Sequence, residues 1–206
     1  DSQRPGYEVD GCPLRTPPSA MPLKGTRVTG GAVRGRALRT RPGSQTRPTT
    51  ALVREAIFNI IGDSIRGARV LDLFAGSGSV GIEALSRGAE RVMFVDRERT
   101  CVNIVTENLA VTGFAQRAGV ASAEATDWLR AHSADLADFN LIVLDPPYHD
   151  QVLDRALLLL DEVPLRPQAL LLVEHHRADP LPPLQHLETV RTRDYGTTRL
   201  TFLRSP

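Results

Sequence analysis

Hydrophobic positions alternate between two periods from Arg69 to His176. Short aliphatic runs of strand length are followed by segments in which apolar residues recur every three or four positions, as on one face of a helix. The predicted strands are 69–74, 91–96, 117–122, 139–145 and 169–176, and the predicted helices are 79–87, 100–112, 124–132 and 151–162. Strands that alternate with helices predict βαβ units, a parallel sheet and right-handed crossovers.

Both ends of the chain depart from this alternation. Residues 186–205 predict two strands about a turn near Gly196, which would close the sheet with an antiparallel hairpin. Residues 25–50 alternate short strand-like pieces with Gly and Pro, so we expect a small hairpin or an irregular extension. Pro48 and the threonines after it begin a predicted helix over 47–61.

These patterns divide the chain into three parts. Residues 1–25 are rich in Pro, Gly and Ser and predict a flexible tail. Residues 26–62 form a basic N-terminal extension made of a hairpin and a helix, and residues 63–206 form an α/β domain.

Composition limits the class of protein. The 206 residues are 41% hydrophobic and 24% charged, which is ordinary for one globular domain with an appendage. No stretch approaches the roughly 18 apolar residues of a membrane span, so we expect no membrane partner. Cys12 and Cys101 offer neither metal spacing nor a disulfide framework, which favours a reducing cytoplasm and no metal.

Charge is unevenly distributed along the chain. Nine of the 25 basic residues and none of the 24 acidic residues lie between Gly11 and Arg54. This segment therefore carries +9 and the remainder carries −8. A basic arm on an acidic domain indicates an electrostatic contact with a polyanion, usually nucleic acid, and the alternative is a solvated tail.

The segment "VLDLFAGSGSVG" (70–81) follows the first strand of the α/β domain and opens a helix. Gly76, Gly78 and Gly81 match the G-x-G-x-x-G pattern, and Asp96 ends the next strand 20 residues after Gly76. Glycines let a backbone approach a ligand, and a carboxylate at the second strand's end can hold ribose hydroxyls. Such a turn fits dinucleotides and other adenosine cofactors alike.

Asp72 separates these two kinds of cofactor. A pyrophosphate would lie at the helix N-terminus, where a nearby acid is unfavourable. Asp72 suits a cation instead, such as the ammonium group of a methionine moiety, so we favour S-adenosylmethionine over NAD. Glu124, after the third strand, is expected to accept a hydrogen bond from the adenine amino group. The predicted cofactor-binding residues are Asp72, Phe74, Ala75, Gly76, Ser77, Gly78, Asp96, Glu124 and Ala125.

The segment "LIVLDPPYHD" (141–150) leaves a predicted strand through an acid, two prolines and a tyrosine. Prolines end the strand's hydrogen bonding and leave carbonyls available to another partner. With "DLFAGSG" and "VD" before it, this segment resembles the amino-methyltransferases, which move a methyl group from S-adenosylmethionine to an exocyclic nitrogen of a base. The predicted catalytic residues are Asp145, Pro146, Pro147 and Tyr148.

Each of these four residues has an expected role. The Asp145 carboxylate and the Pro146 carbonyl accept hydrogen bonds from the amino group and aim its lone pair at the methyl group. Pro147 has no N–H to compete for the carbonyl. Tyr148 stacks on the base.

Four segments narrow the resemblance further. "RVTGGAVRGRAL", "RPTTALVREAIFNII", "DLFAGSGSVGIEALSRGA" and "YGTTRL" together resemble the RsmD family, bacterial guanine-N2 methyltransferases of 16S ribosomal RNA, over residues 26–204. The resemblance implies a Rossmann-like class I methyltransferase fold with a seven-stranded, mostly parallel sheet. It also implies that the target base turns out into the pocket while the extension grips 16S ribosomal RNA or the assembling small subunit. The expected RNA contacts are Arg27, Arg34, Arg36, Arg47 and Arg54, and we expect a monomer.

The sequence departs from the family pattern at three places. Ala51-Leu52 replaces an Asp-Arg pair, Thr197 replaces Asp in a Gly-Asp-Thr turn, and Glu124 replaces Asp. The first departure removes a charge pair from the expected RNA face.

Other functions stay open at this point. One is an adenine-N6 methyltransferase acting on DNA or RNA, another is a catalytically inactive RNA-binding assembly factor with the same fold, and a distant third is an NAD oxidoreductase. Outside the proposed site, we expect Trp128 in the core, and His175 and His176 at an edge or on the surface.

Overall fold

The computed structural model describes residues 26–41, 51–147 and 151–206. The predicted tail, Arg47 and Tyr148 lie outside the described residues, as do the first four residues of the predicted first helix.

A seven-stranded sheet organises the described chain. Its strands are β1 (Arg69–Asp72), β2 (Arg91–Asp96), β3 (Ala118–Ser122), β4 (Leu141–Leu144), β5 (Leu170–His176), β6 (Glu188–Tyr195) and β7 (Thr198–Arg204). Their order is β3-β2-β1-β4-β5-β7-β6. The first five strands are parallel, and β7 pairs antiparallel with both β5 and β6. The predicted parallel sheet with a C-terminal hairpin is confirmed.

Helices cover both faces of this sheet. They are α1 (Ala51–Ile61), α2 (Ser79–Ser86), α3 (Arg99–Thr112), α4 (Ala125–Ala131) and α5 (Val152–Glu162). One hydrophobic cluster joins the sheet to α1, α2 and α3, and the other joins it to α4 and α5. Trp128 lies in the second cluster, 4% exposed, as predicted. Burial on two faces explains why the central strands are aliphatic along their whole length, as Leu141–Leu144 is.

Residues 26–41 form a narrow turn that packs against α2. Arg27 and Ala37 form an isolated antiparallel bridge, and Val28 and Leu38 are buried in the first hydrophobic cluster. At the tip, the N–H of Ala32 donates to the carbonyl of Ser86 at 2.8 Å, near the C-terminal end of α2. The extension is therefore a docked part of the domain rather than a free arm over these residues.

Arg54 corrects an expectation from the sequence. Its side chain is 1% exposed, and Nε donates to Oε2 of Glu83 at 3.2 Å. Nη2 also donates to Thr26 and to the backbone carbonyl of Arg27. The predicted RNA contact at Arg54 is wrong, because a buried and paired guanidinium cannot reach a phosphate. Arg54 instead fastens the extension to the domain.

Glu83 is the acceptor at the centre of this junction. The N–H and the hydroxyl of Thr29 both donate to it at 2.8 Å, and Arg87 Nε donates at 2.8 Å. Burial acts to raise the pKa of Glu83, but these hydrogen bonds and the charge of Arg54 outweigh it and hold the pKa below its ordinary value.

Candidate active site

Four acids lie at the carboxyl ends of four neighbouring strands: Asp96 is the last residue of β2, Asp72 is the last residue of β1, Asp145 follows β4, and Glu174 lies near the end of β5. The residues two positions before them are Phe94, Val70, Val143 and Leu172, and all four belong to the hydrophobic cluster under α1–α3. Side chains two apart on a strand project to the same face. The four carboxylates therefore form a row on one face at the edge where parallel sheets bind ligands.

Asp96 holds the loop of residues 73–78 between β1 and α2, called the glycine loop below. The Gly76 N–H donates to Oδ2 of Asp96 at 2.8 Å, and the Glu98 N–H donates to Oδ1 at 2.8 Å. Gly76 has a φ of 55°, and a Cβ added there would meet nothing within 4 Å. The loop thus presents open backbone beside a carboxylate, and a ligand can approach it closely.

Two further glycines shape the start of α2. Gly78 has a φ of 75° and is the N-cap residue of the helix. A Cβ on Gly81 would lie 2.3 Å from the Phe94 ring, so this glycine serves the close packing of α2 on β2. Only Gly76 has open space in front of it, which locates the ligand-facing part of the pattern.

Asp72 is a buried acid at the base of the row. Asp72 is 2% exposed, and its Oδ2 accepts a hydrogen bond from the Gly81 N–H at 3.2 Å. Burial, followed by the negative charge of Asp145, raises the pKa of Asp72 to about 7. A cation bound nearby would relieve both effects, so this position favours a positively charged ligand.

Asn108, in α3, makes hydrogen bonds to the glycine loop and to the N-terminal extension. Its Nδ2 group donates to the carbonyl of Ser77 at 2.8 Å and to the carbonyl of Arg39 at 3.0 Å. Its Oδ1 accepts from the Arg39 N–H at 2.8 Å. One buried amide therefore joins the glycine loop to the N-terminal extension.

Glu124 and Ala125 stand where α4 begins. The Glu124 carboxylate accepts hydrogen bonds from the backbone N–H groups of Thr126 at 2.8 Å and Asp127 at 3.2 Å. It thereby caps the helix and satisfies two of its free donors. The predicted contact to adenine stays a prediction, and the structure adds this capping role.

A cavity of about 320 Å³ lies beside the two described prolines of "DPPY". Its lining among the described residues is Pro146, Pro147, Gln151, Leu153, Asp154, Glu174, His175, His176, Asp179, Pro180 and Leu181. Sequence reasoning did not single out Glu174, although an acid after the aliphatic run "ALLLV" is the same signal that identified Asp96.

His175 also lines this cavity and corrects the expectation of a histidine at an edge or on the surface, since β5 lies between β4 and β7. It is 5% exposed because β7 covers the edge of β5. Its Nδ1 is 3.0 Å from the Asp179 carbonyl, and its Nε2 is 2.9 Å from the Thr201 hydroxyl. Burial lowers the pKa of His175, and a neutral ring that donates through Nδ1 and accepts at Nε2 satisfies both contacts.

The chain is similar in sequence to a protein family and to several named proteins. Residues 26–204 match the family described as Conserved hypothetical protein 95. Ribosomal RNA small subunit methyltransferase D of Haemophilus influenzae is 36% identical over 157 residues, which cover 75% of this chain and 81% of the relative. The chain belongs to the RsmD family. YlbH of Bacillus subtilis is 42% identical over 84% of this chain and 95% of its own length.

Solved structures of relatives agree with this RsmD-family assignment. The Escherichia coli protein yhhF superposes with a TM-score of 0.76 at 30% identity, covering 87% of this chain and 97% of that one. The resemblance predicted from the sequence is therefore confirmed over the same residues.

The structure brings some of the predicted site residues of this RsmD-family chain together and separates others. Asp72, Asp96, Asp145 and the glycine loop come together at one edge of the sheet. Arg27, Arg34 and Arg36 are exposed on the extension, whereas Arg54 is buried.

In the described part of the chain, no three His, Cys, Asp or Glu side chains group in a way that would hold a metal ion. No helix there is long and apolar enough to cross a membrane.

Proposed function

We propose that the protein transfers a methyl group from S-adenosylmethionine to the exocyclic N2 amino group of a guanine in 16S ribosomal RNA, acting as a cytoplasmic monomer. The observation that carries the proposal is the position of Asp145 and Pro146. They follow β4 beside the buried Asp72 and one strand away from the glycine loop.

The cofactor fits the residues at the edge of the sheet. S-adenosylmethionine, when bound, supplies an electrophilic methyl group on a sulfonium. The open backbone at Gly76 accommodates the cofactor, and the Asp96 carboxylate accepts from ribose hydroxyls through its remaining lone pairs. Asp72 compensates positive charge, since its carboxylate is buried and the negative charges of Asp145 and Asp96 also raise its pKa.

Asp145 and Pro146 make the amino group a better nucleophile. The lone pair of a guanine amino group is delocalised into the ring, which makes the nitrogen a poor nucleophile. Acceptors for its two N–H groups draw the nitrogen toward tetrahedral geometry and point the lone pair at the methyl carbon. Asp145 is half-buried and Pro146 is buried, so both acceptors are held on a rigid strand end. Tyr148, by its place after Pro147, would stack on the base.

Exposed arginines on the extension provide the phosphate contacts in this proposal. Arg27, Arg34 and Arg36 lie on the turn that packs along α2. The turn begins its contact at Ser86 and reaches the glycine loop through Arg39 and Asn108. This path follows the length of α2, about 12 Å at 1.5 Å per residue. RNA bound along it would lead toward the carboxyl edge of the sheet.

Methylation of RNA with labelled cofactor tests the proposal. The full chain, small-subunit ribosomal RNA or assembled subunits, and labelled S-adenosylmethionine should yield N2-methylguanosine on nucleoside analysis. Once the labelled nucleotide is mapped, replacing it with inosine, which lacks only the amino group, should abolish the product while largely sparing binding. Formation of N6-methyladenosine, or equal labelling of the inosine RNA, would contradict the guanine assignment.

A further inference from the structure

Glu174 is the fourth acid of the row and has no part in the proposed transfer. Glu174 is 7% exposed. The strand register shows which residue of β4 it stands beside. β4 and β5 pair in parallel with Leu144 opposite Val173, so the next residues, Asp145 and Glu174, stand at the same level. Neighbouring strands are about 4.8 Å apart.

Both side chains leave the sheet on the same face. Leu144 and Val173 belong to the hydrophobic cluster on the opposite side, under α4 and α5. Because side chains alternate along a strand, Asp145 and Glu174 project together toward the other face. Glu174 also lines the cavity that Pro146 and Pro147 border. An acid is thus built into the wall of the space next to the acceptors for the reactive amine.

We propose that Glu174 determines base specificity by accepting a hydrogen bond from N1–H of the target guanine. This inference rests on the proposed guanine-N2 transfer and deepens it. The N1–H group lies directly beside the N2 amino group on the guanine ring. The other neighbour of the amino group is N3, an acceptor. Of the two orientations that present N2 to Asp145 and Pro146, only the one that turns N1–H toward the neighbouring strand gives the Glu174 carboxylate a donor, and we assign this orientation.

The same position disfavours adenine. The adenine amino group is flanked by N1 and N7, which are both acceptors. A carboxylate oxygen opposite adenine N1 would face a lone pair, so neither atom would gain the hydrogen bond that guanine N1–H supplies. A carboxylate has about four acceptor positions, so an existing partner of Glu174 leaves room for N1–H.

The experiment compares two bases that carry the same amino group. 2-Aminopurine has the N2 amino group of guanine but an unprotonated N1, so it offers Glu174 no donor. Target RNA is made with guanine or with 2-aminopurine at the methylated position, and kcat/KM is measured for each with the wild-type chain and with Glu174→Gln. Glutamine keeps the length of the side chain but adds an N–H donor that suits the bare N1 of 2-aminopurine.

We expect the preference for guanine over 2-aminopurine to fall by about tenfold or more in Glu174→Gln, within the range that one unsatisfied buried group produces. Cofactor affinity should be unchanged. Asp154→Asn is the matched control, since Asp154 is an exposed acid that lines the same cavity, and it should keep the wild-type preference.

Two results would overturn the inference in different ways. If Glu174→Gln lowers both kcat/KM values by the same factor, Glu174 has a structural role only, and the proposed function stands. If the wild-type chain forms no N2-methylguanosine, the proposed function fails and the role of Glu174 fails with it.

Discussion

Asp72→Asn should make the ligand-free protein more stable at pH 8 while weakening its hold on the cofactor. The Asp72 pKa is raised from 3.8 to about 7, first by burial and then by the charge of Asp145. Each unit of pKa corresponds to about 1.4 kcal/mol, so ionising Asp72 in the folded state costs up to about 4 kcal/mol. This would be a large part of the total stability of a domain of this size.

The pH range follows from the direction of the shift. A folded-state pKa above the unfolded value means that the folded protein holds the proton more tightly. The contribution to stability is complete below about pH 4 and is lost as the pH rises through about 7. Asparagine is neutral throughout, and its amide oxygen still accepts from the Gly81 N–H. The variant should therefore match the wild type near pH 4 and exceed it by up to about 4 kcal/mol at pH 8.

Urea unfolding of the ligand-free protein measures this difference. The single tryptophan, Trp128, is 4% exposed in the fold and reports unfolding by fluorescence. Asp161→Asn is a control of opposite sign. Burial acts to raise the pKa of Asp161, but three backbone N–H groups, from Gln185, His186 and Leu187, donate to it and hold the pKa below its ordinary value. This control should be less stable than the wild type at pH 8.

The greater stability of Asp72→Asn relative to the wild type should reverse when the cofactor is bound. A cationic ligand lowers the Asp72 pKa, so its binding should release a proton near pH 6.5, and calorimetry in buffers of different ionisation heat detects that release. Asp72→Asn should release none and should bind S-adenosylmethionine more weakly. Equal unfolding free energies for the two proteins at pH 8 would refute the assigned environment of Asp72.

Further expectations concern the extension and the nucleophile. Gly31→Ala should weaken RNA binding, because the new Cβ would lie 1.9 Å from the Ser86 carbonyl oxygen and would push the turn away from α2. Gly35→Ala is the control and should leave RNA binding unchanged, because Gly35 has a similarly positive φ but nothing lies within 4 Å of its added Cβ. Filter binding measures both affinities, and equal losses in the two variants would contradict this expectation. Arg34→Ala and Arg36→Ala should each reduce the salt dependence of RNA affinity by about one in log–log slope, and unchanged slopes would show that neither contacts phosphate. Asp145→Asn should lower methyl transfer about a hundredfold or more without weakening cofactor binding, since it also removes a charge that opposes ionisation of Asp72; lost cofactor binding in a titration would count against this role.

The sequence predicted elements well where one local pattern decides them. β2 (Arg91–Asp96) and α5 (Val152–Glu162) agree with prediction to within a residue, because a continuous apolar run marks the strand and an unbroken helical period marks the helix. The hairpin about Gly196 was also predicted, and Gly196 has a φ of 64°. The short 3-10 segments at Gly62–Ile65, Ala115–Arg117 and Ser133–Asp138 were not predicted, since such brief turns leave no periodic signal.

The site was predictable to the extent that its residues end strands. Asp72, Asp96 and Asp145 share that signal, and the parallel sheet brings them together. Arg54 and His175 were misjudged because their environment comes from distant parts of the chain. Glu83 is 29 residues from Arg54, and Thr201 is 26 residues from His175. A buried charge or ring is identified by its partner, and a local pattern does not contain that partner.

If RNA binds the extension as proposed above, the hydrogen bonds of Asn108 would make cofactor binding and RNA binding thermodynamically dependent on each other. The Ser77 carbonyl and the Arg39 backbone share its one buried amide, so a ligand that fixes the glycine loop also fixes the end of the extension. Coupling of this kind is reciprocal: whatever factor the cofactor adds to RNA affinity, RNA adds to cofactor affinity. Under the proposed function, RNA would then bind the enzyme that carries S-adenosylmethionine more tightly than the enzyme that carries the demethylated cofactor. This preference would be only as large as the difference in how firmly the two cofactor forms hold that loop.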